Sequence, residues 1–301
     1  MHASSAALSL ADLDGWSFPG TALAVLGHPI KHSISPAMHN AALREMSAAD
    51  ARFQHWRYFR FDVPPDQLQA ALAALHRRGF HGINLTVPHK VLAVGLVTEL
   101  DPAARTIGAV NTLRRTDAGW IGCNTDGYGL ATAVRESLGC DLAGTPVILL
   151  GAGGAARGAA VECLRRGCAS LAIGNRTTRS REELLAAVGV TAGSIPVRGF
   201  DPAIPPDDLP PGALVINATS LGLKPDDPPP VDLARLPNPL GVYDMVYNPP
   251  RTEFLRRATQ LGLPAANGLS MLVHQGVRAL ELWTGARVPV EVMRSAAFAA
   301  V

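Results

Sequence analysis

An α/β chain of two domains, each built on a mostly parallel sheet, is predicted by three observations. Apolar runs of strand length alternate with amphipathic stretches in two separate series, a glycine-rich turn joins a strand directly to a helix, and the length exceeds one core. The chain has 301 residues, and a single hydrophobic core stops growing at roughly 250–300 residues. Its 48% hydrophobic and 17% charged residues are a globular composition. No apolar run approaches the ~20 residues that cross a bilayer, so a membrane partner is not expected.

Residues 1–20 carry no Lys or Arg before their short apolar part but include Asp12 and Asp14, unlike a secretory signal, and are read as a loosely held extension. Residues 21–27 (TALAVLG) suit a buried strand that ends in glycine. Ser35 then serves as N-cap and Pro36 as first residue of a helix through Met38, Ala41, Ala42 and Met46. Residues 53–63 read as a second strand. Residues 64–79 follow as a helix with Leu68, Leu72 and Leu75 on one face, and residues 82–87 as a third strand. Residues 111–113 and 120–123 form a hairpin around Asp117, Ala118 and Gly119, and a helix covers residues 125–138.

The second series starts with a strand at 147–150 and its glycine turn. It continues with a helix to Arg166, a strand at 170–173, a helix at 179–188 and strands at 213–217 and 241–246. Residues 202–211 and 225–239 are proline-rich loops. Helices at 268–283 and 290–300 close the chain, and Gln275, polar among Met271, Leu272 and Val273, suggests that they return to the first domain. The expected organisation is therefore an extension at 1–20, a first domain at 21–127 joined by 268–301, and a second domain at 128–267.

Charge and cysteine usage narrow the function. A net charge of +2 spread along the chain offers no basic stripe for phosphates, which argues against nucleic acid. Four cysteines without a Cys-x-x-Cys pattern read as reduced residues of a cytoplasmic protein. His28 and His32 have a metal-like spacing, but Pro29 between them and the lack of partner ligands predict no metal site.

Three motifs carry chemistry. Strand 147–150 runs into Gly151-Ala152-Gly153-Gly154-Ala155, where small residues let the backbone approach a pyrophosphate and the next helix N-terminus offers N–H groups. One strand later, where an NAD-binding chain usually places an acid, stand Asn175, Arg176 and Thr177. Arg176 can pair with a 2′-phosphate, which favours NADP; Arg179 and Arg181 read equally well as solvated arginines at a helix start. Thr219, at the end of strand 213–217, either lines the nicotinamide side or caps a turn. Lys90 in Asn84-Leu85-Thr86-Val87-Pro88-His89-Lys90 and Asp126 in Asn124-Thr125-Asp126-Gly127 supply an ammonium and a carboxylate suited to proton transfer on an oxygen-rich substrate.

In this order, and together with Gly27 to Asn40, Gly108 to Thr112, Asn217 to Ser220, Asp244 to Pro249 and Gly268 to Gln275, these segments resemble the shikimate dehydrogenases over nearly the whole chain after residue 20. The resemblance implies a substrate domain and a Rossmann-type NADP-binding domain with a cleft between them, and reversible reduction of 3-dehydroshikimate to shikimate with NADPH. It implies Lys90 and Asp126 as the catalytic pair, and Ser33, Ser35, Thr86, Asn111, Tyr247 and Gln275 as substrate ligands beside them. Met245, Gly268 and Met271 join the cofactor residues. Independently, the Ser33 and Ser35 hydroxyls before a helix start suit a carboxylate; the Asn111 and Gln275 amides suit vicinal hydroxyls but, without the resemblance, read as ordinary turn or helix-surface residues. A related enzyme that uses quinate, or NAD, and a metabolite-sensing protein without turnover are the alternatives. A homodimer is left open.

Overall fold

The structure, a computed structural model, describes residues 7–301. Two compact units divide it: Met1–Thr125 with Gln275–Val301, and Asp126–His274.

In the first unit the chain runs through β1 (Thr21–Gly27), α1 (Ser35–Ala49), β2 (Trp56–Asp62), α2 (Leu68–Arg77), β3 (Gly82–Leu85), the short α3 (His89–Leu92), β4 (Glu99–Leu100), α4 (Pro102–Ile107), β5 (Thr112–Thr116) and β6 (Gly119–Cys123). The sheet order is β2-β1-β3-β5-β6-β4, and β5 alone runs against its neighbours. Flanked on both sides, β1 is buried from Ala22 onward, so a central strand reads as one apolar run. Helix α2 buries Leu68, Ala71, Leu72 and Leu75, the spacing of one helical face.

Several expectations change at element ends. Ser35 is the first helical residue of α1 and not its cap; Ile34 holds the cap position, with no side-chain cap hydrogen bond. The strand expected at 53–63 begins only at Trp56, because Asp50 Oδ1 accepts the Arg52 N–H at 3.0 Å and winds Ala51–Phe53 into a 3₁₀ turn. The helix expected from Pro64 starts at Leu68 after a 3₁₀ turn at Pro65–Gln67, since two prolines supply no N–H for a first α-turn.

The N-terminal stretch is not loosely held from Leu8 onward. The Leu8 N–H donates to the Arg60 carbonyl at 2.8 Å, and its own carbonyl accepts the Asp62 N–H at 2.7 Å, extending the sheet beyond β2. Leu13 is buried in the core, and Trp16 packs edge-on against Phe59 with ring centroids 4.9 Å apart. Its large apolar side chains, Leu8, Leu13, Trp16 and Phe18, are what anchor it. Residues 1–6 of the expected extension lie outside the described residues.

The second unit contains α5 (Asp126–Leu138), β7 (Pro146–Leu150), α6 (Gly154–Arg165), β8 (Ser170–Gly174), α7 (Thr178–Ala192), β9 (Val197–Phe200), β10 (Leu214–Asn217), β11 (Gly241–Asp244), α8 (Glu253–Gln260), β12 (Ala265–Asn267) and the first turns of α9 (Leu269–Thr284). All six strands are parallel, in the order β12-β11-β10-β7-β8-β9. That is the Rossmann order, with the switch point between β7 and β10.

The boundaries fall at 125/126 and 274/275, not at 127/128 and 267/268. The second lies inside a continuous helix, which composition does not reveal. Early in α9, Ser270 Oγ sits 3.3 Å from both Ser137 Oγ and the Tyr243 hydroxyl, and His274 Nε2 sits 2.9 Å from Glu136 Oε2, all within the second unit. Late in α9, Trp283 Nε1 donates to the Leu113 carbonyl at 2.9 Å in the first unit, where α10 (Val290–Phe298) packs beside α1.

Candidate active site

Strand register collects the first unit's polar residues at one end of its sheet. Asn84 of β3 pairs with Thr112 at the start of β5, and Thr112 pairs with Cys123 at the end of β6. Asn111 and Thr125 therefore flank the carboxyl end of β3, from which Thr86 and Lys90 continue. The Leu85 N–H donates to the Asn111 carbonyl at 2.8 Å, the Thr86 N–H to Leu26 at 2.9 Å, and the Val110 N–H to the Lys90 carbonyl at 2.8 Å. Those bonds tie the lysine-bearing turn to both neighbouring strands.

Asn111 is almost fully buried. Its Oδ1 accepts the Thr125 N–H at 2.8 Å, and its Nδ2 donates to Thr125 Oγ1 at 2.9 Å and, more weakly, to Gln275 Oε1 at 3.4 Å. The structure thus joins Asn111 and Gln275, 164 residues apart in the chain, within one unit. Asp126 belongs to the other unit but follows Thr125 directly, one Cα step of ~3.8 Å along the backbone.

The Ser33 loop is held from below. Arg60 Nη1 donates to the carbonyls of Lys31 at 2.6 Å and Ser33 at 3.2 Å, and the Ser35 N–H points at Ser33 Oγ at 3.4 Å. Two hydroxyls, the start of a fifteen-residue helix and a guanidinium gripping the loop give this part of the unit the chemistry that suits an anionic group. Beside Lys90, His89 is buried, and desolvation pushes its pKa down.

In the second unit the glycine turn has the shape its sequence asks for. Gly151 has φ +116°, and a Cβ there would lie 2.9 Å from the Ala218 carbonyl oxygen. Gly153 caps α6, and Gly153 and Gly154 have no neighbouring atom within 4 Å of an added Cβ. Open space before a helix N-terminus fits the pyrophosphate of a dinucleotide. Ala152 and Ala155 complete the turn without filling it, since Ala155 is exposed and Ala152 half-buried.

At the end of β8, Asn175 Nδ2 donates to the Thr177 carbonyl at 2.9 Å and shapes the turn. The three arginines nearby separate by environment. Arg179 Nε pairs with Glu183 Oε1 at 2.9 Å, and Arg181 Nη1 donates to the carbonyls of Asn175 at 3.1 Å and Phe200 at 3.2 Å. Arg176 is exposed and has no hydrogen-bond or ion-pair partner among the described residues.

Thr219 caps a turn: its hydroxyl donates to Asn217 Oδ1 at 2.7 Å and accepts the Leu221 N–H at 3.0 Å. Asn217 Nδ2 in turn donates to Asp244 Oδ1 at 2.9 Å, and Asp244 is fully buried with its pKa raised by desolvation against three hydrogen bonds that lower it. The Met245 N–H donates to the Asn217 carbonyl at 2.9 Å, and a Cβ on Gly268 would overlap the Met245 carbonyl, so Met245 and Gly268 are locked together. Tyr247 is half-buried in this unit, with burial raising its phenol pKa, and Met271 is half-buried on α9.

Comparison with known proteins identifies the frame that holds these residues. A family model described as the shikimate dehydrogenase substrate binding domain matches residues 25–113, and one described as the shikimate 5'-dehydrogenase C-terminal domain matches residues 268–298. The shikimate dehydrogenase (NADP(+)) of Symbiobacterium thermophilum is 45% identical over 94% of this chain and 95% of that protein. The chain belongs to the shikimate dehydrogenase family. The shikimate dehydrogenase (NADP(+)) of Methanopyrus kandleri is 42% identical over 90% of this chain and 93% of that protein. In solved structures, a shikimate 5-dehydrogenase from Thermus thermophilus in complex with NADP(H) and shikimate is 34% identical, covers 93% of this chain and 100% of that chain, and superposes with a TM-score of 0.80.

As a shikimate dehydrogenase family member, the chain also shows polar residues to which the sequence assigns no role: Tyr58, Arg60 and Thr252, outside the matching segments, and Asn84, Thr112, Thr125, Asn217 and Asp244, within them. Polar residues at buried strand positions, such as Asn84 in GINL and Asp244 in GVYD, are the signal that would have found two of them. Among the described residues no group of three or more His, Cys, Asp or Glu is arranged to hold a metal ion, and no helix is long and apolar enough to cross a membrane.

Proposed function

We propose that this protein is an NADP-dependent oxidoreductase that interconverts shikimate and 3-dehydroshikimate in the cytoplasm. The observation that carries the reading is the polar cluster of the first unit, where Asn111, Gln275 and the Lys90 turn share one end of a sheet, in a chain 45% identical to a shikimate dehydrogenase (NADP(+)). The four cysteines stand free and buried, in keeping with a reducing compartment.

Each residue has a role set by its chemistry. The Ser33 and Ser35 hydroxyls take the substrate carboxylate at the start of α1, with Arg60 fixing their loop. Thr86, Asn111, Gln275 and Tyr247 hydrogen-bond the ring hydroxyls and the carboxylate end. NADP, held by the open glycine turn and by Arg176 at its 2′-phosphate, supplies or receives hydride at the ring carbon when bound. In the reducing direction negative charge builds on the ketone oxygen. Lys90 stabilises that charge and donates the proton, and in the oxidising direction it takes the proton back. Asp126 orients the ammonium and accepts a hydrogen bond from the neighbouring substrate hydroxyl. Gly151, Ala152, Gly153, Gly154, Ala155, Asn175, Thr177, Thr219, Met245, Gly268 and Met271 complete the cofactor side.

Lys90→Ala tests this assignment. Turnover of shikimate should fall by about a hundredfold or more, with NADP binding by fluorescence titration changed much less. Asp126→Asn should also slow turnover, and the double variant should lose less than the product of the two. Near-wild-type turnover in folded Lys90→Ala protein would remove the lysine from the chemistry.

A further inference from the structure

Behind Asn111 lies a chain of buried hydrogen bonds whose direction can be read from one end. Tyr58, on β2, is buried, and its hydroxyl donates to Asn84 Oδ1 at 2.7 Å. With its oxygen committed there, Asn84 Nδ2 donates to the Asn111 carbonyl at 3.1 Å and to Thr112 Oγ1 at 3.0 Å. Thr112, its oxygen accepting the Asn84 hydrogen bond, has its own O–H to donate, and its nearest acceptor is Asn111 Oδ1 at 3.0 Å. That oxygen also accepts the Thr125 N–H at 2.8 Å, a group that can only donate. Both ends of the chain therefore assign the Asn111 amide the same way, oxygen inward and nitrogen toward Gln275 Oε1.

Two surroundings keep the starting donor fixed. The Tyr58 ring stacks on His39 with centroids 4.1 Å apart and planes 1° from parallel. Desolvation holds His39 neutral, with its pKa down at about 3, and pushes the Tyr58 phenol well above its ordinary value, so the hydroxyl keeps its proton. A buried amide with every hydrogen-bond direction imposed cannot turn over without leaving several groups unpaired.

We propose that Tyr58 is a positioning residue for substrate recognition: acting through Asn84 and Thr112, its hydroxyl fixes the Asn111 amide and, through it, the Gln275 amide, so that the Gln275 nitrogen meets the substrate's ring oxygens as a hydrogen-bond donor. The donor role toward substrate rests on the function proposed above; the amide orientation rests on the hydrogen-bond chain alone. In this arrangement the Asn111 nitrogen donates to Thr125 Oγ1 and Gln275 Oε1, and the Gln275 oxygen, already accepting from Asn111, turns the Gln275 nitrogen to the far side of its amide. A ring presenting oxygen lone pairs is favoured there over one presenting only donors.

The test is Tyr58→Phe, which keeps the ring and its stack on His39 and removes the O–H. With shikimate and NADP⁺, the KM for shikimate should rise about fivefold to tenfold, the loss expected of one buried hydrogen bond, while kcat and the KM for NADP⁺ stay within about twofold. In an Asn111→Ala background the same change should add nothing to the loss of shikimate binding, because Tyr58 then has no amide to position. A second readout needs no substrate: in ¹⁵N spectra the side-chain NH₂ protons of Asn84 and Asn111 should be protected from exchange in the wild type and lose that protection in Tyr58→Phe. If wild-type protein fails to oxidise shikimate, the proposed function falls while the spectra still decide the orientation. An unchanged shikimate KM in folded Tyr58→Phe protein, a full effect persisting in the Asn111→Ala background, or unaltered amide protection would overturn the proposal.

Discussion

Asn111 in the first unit and Gly151 in the second both stand where a sheet ends, yet the recognition roles proposed for them rest on different physics. Asn111 acts through a side chain whose oxygen and nitrogen are assigned by a buried network of Thr125, Thr112, Asn84 and Gln275. Gly151 acts by lacking a side chain: its φ of +116° and the Ala218 oxygen 2.9 Å from where a Cβ would lie require glycine at this turn, and the groups proposed to recognise the cofactor are backbone N–H at the start of α6. Under the proposed function, the first unit would select by which atom each amide presents and the second by how closely the backbone is exposed. Damage to the first should therefore alter substrate affinity in proportion to the hydrogen bonds lost, and damage to the second should be steric and steep.

The largest effect expected from this contrast is that of Gly151→Val. A β-branched residue at that φ, against the Ala218 carbonyl, should weaken NADP binding by about a hundredfold or more in calorimetric titration. Folding of the first unit's hydrogen-bond network, read by the Asn111 side-chain signals, should stay unchanged. Loss of those signals too would show that the two units do not fail independently.

Next in size is Arg176→Ala, which sharpens the cofactor side. Because Arg179 and Arg181 are engaged by Glu183 and by main-chain carbonyls, Arg176 is the guanidinium available to a 2′-phosphate. Its removal should weaken NADP by about ten to a hundredfold, ~1.5–3 kcal/mol for lost charge-assisted hydrogen bonds, with NAD affinity within about threefold. Equal losses for both cofactors would place the 2′-phosphate elsewhere.

Much of this division was legible in the sequence and some was not. The parallel second sheet, its glycine turn and the Asn175-Arg176-Thr177 strand end follow from local patterns, because phosphate recognition by backbone depends on residues adjacent in sequence. The strand Val197–Phe200 was missed because its VRGF is half-exposed and broken by glycine, and the strand Ala265–Asn267 because its three small and polar residues carry no apolar alternation. The helix Pro102–Ile107 had its signals in place, with Asp101 accepting the Ala104 N–H at 2.6 Å and Gly108 at φ +69°, but six residues are too few for a period. In the first unit, Lys90, Asn111 and Gln275 take their roles from motif resemblance, whereas Tyr58 lies outside the matching segments and Asn84 and Thr112, inside them, receive no role. Their partners lie 26 and 28 residues away across strands, and register, which only the fold supplies, brings them together. The anchoring of Leu8 to Trp16 was missed for a related reason: the sheet edge that they cover is formed later in the chain.

The smallest expected effect is on stability and comes from His39, the neutral ring beneath Tyr58. Its folded pKa is lowered from 6.5 to about 3, so between these values the unfolded chain binds a proton that the folded one refuses. The contribution is complete above pH 6.5 and is lost as pH falls toward 3, at up to about 1.4 kcal/mol per pH unit. Urea unfolding of His39→Gln should show a pH slope shallower by one proton over this window. An unchanged slope would mean that His39 is protonated in the folded state.

Initial rates measured side by side with shikimate or quinate, each with NADP⁺ or NAD⁺, test the central claim most directly. The arrangement of Ser33, Lys90, Asn111 and Gln275 in one unit and Arg176 in the other predicts that shikimate with NADP⁺ gives the highest kcat/KM of the four pairings, with NAD⁺ lower by about tenfold or more. Preferred turnover of quinate with NAD⁺, or no turnover of shikimate with either cofactor, would contradict it.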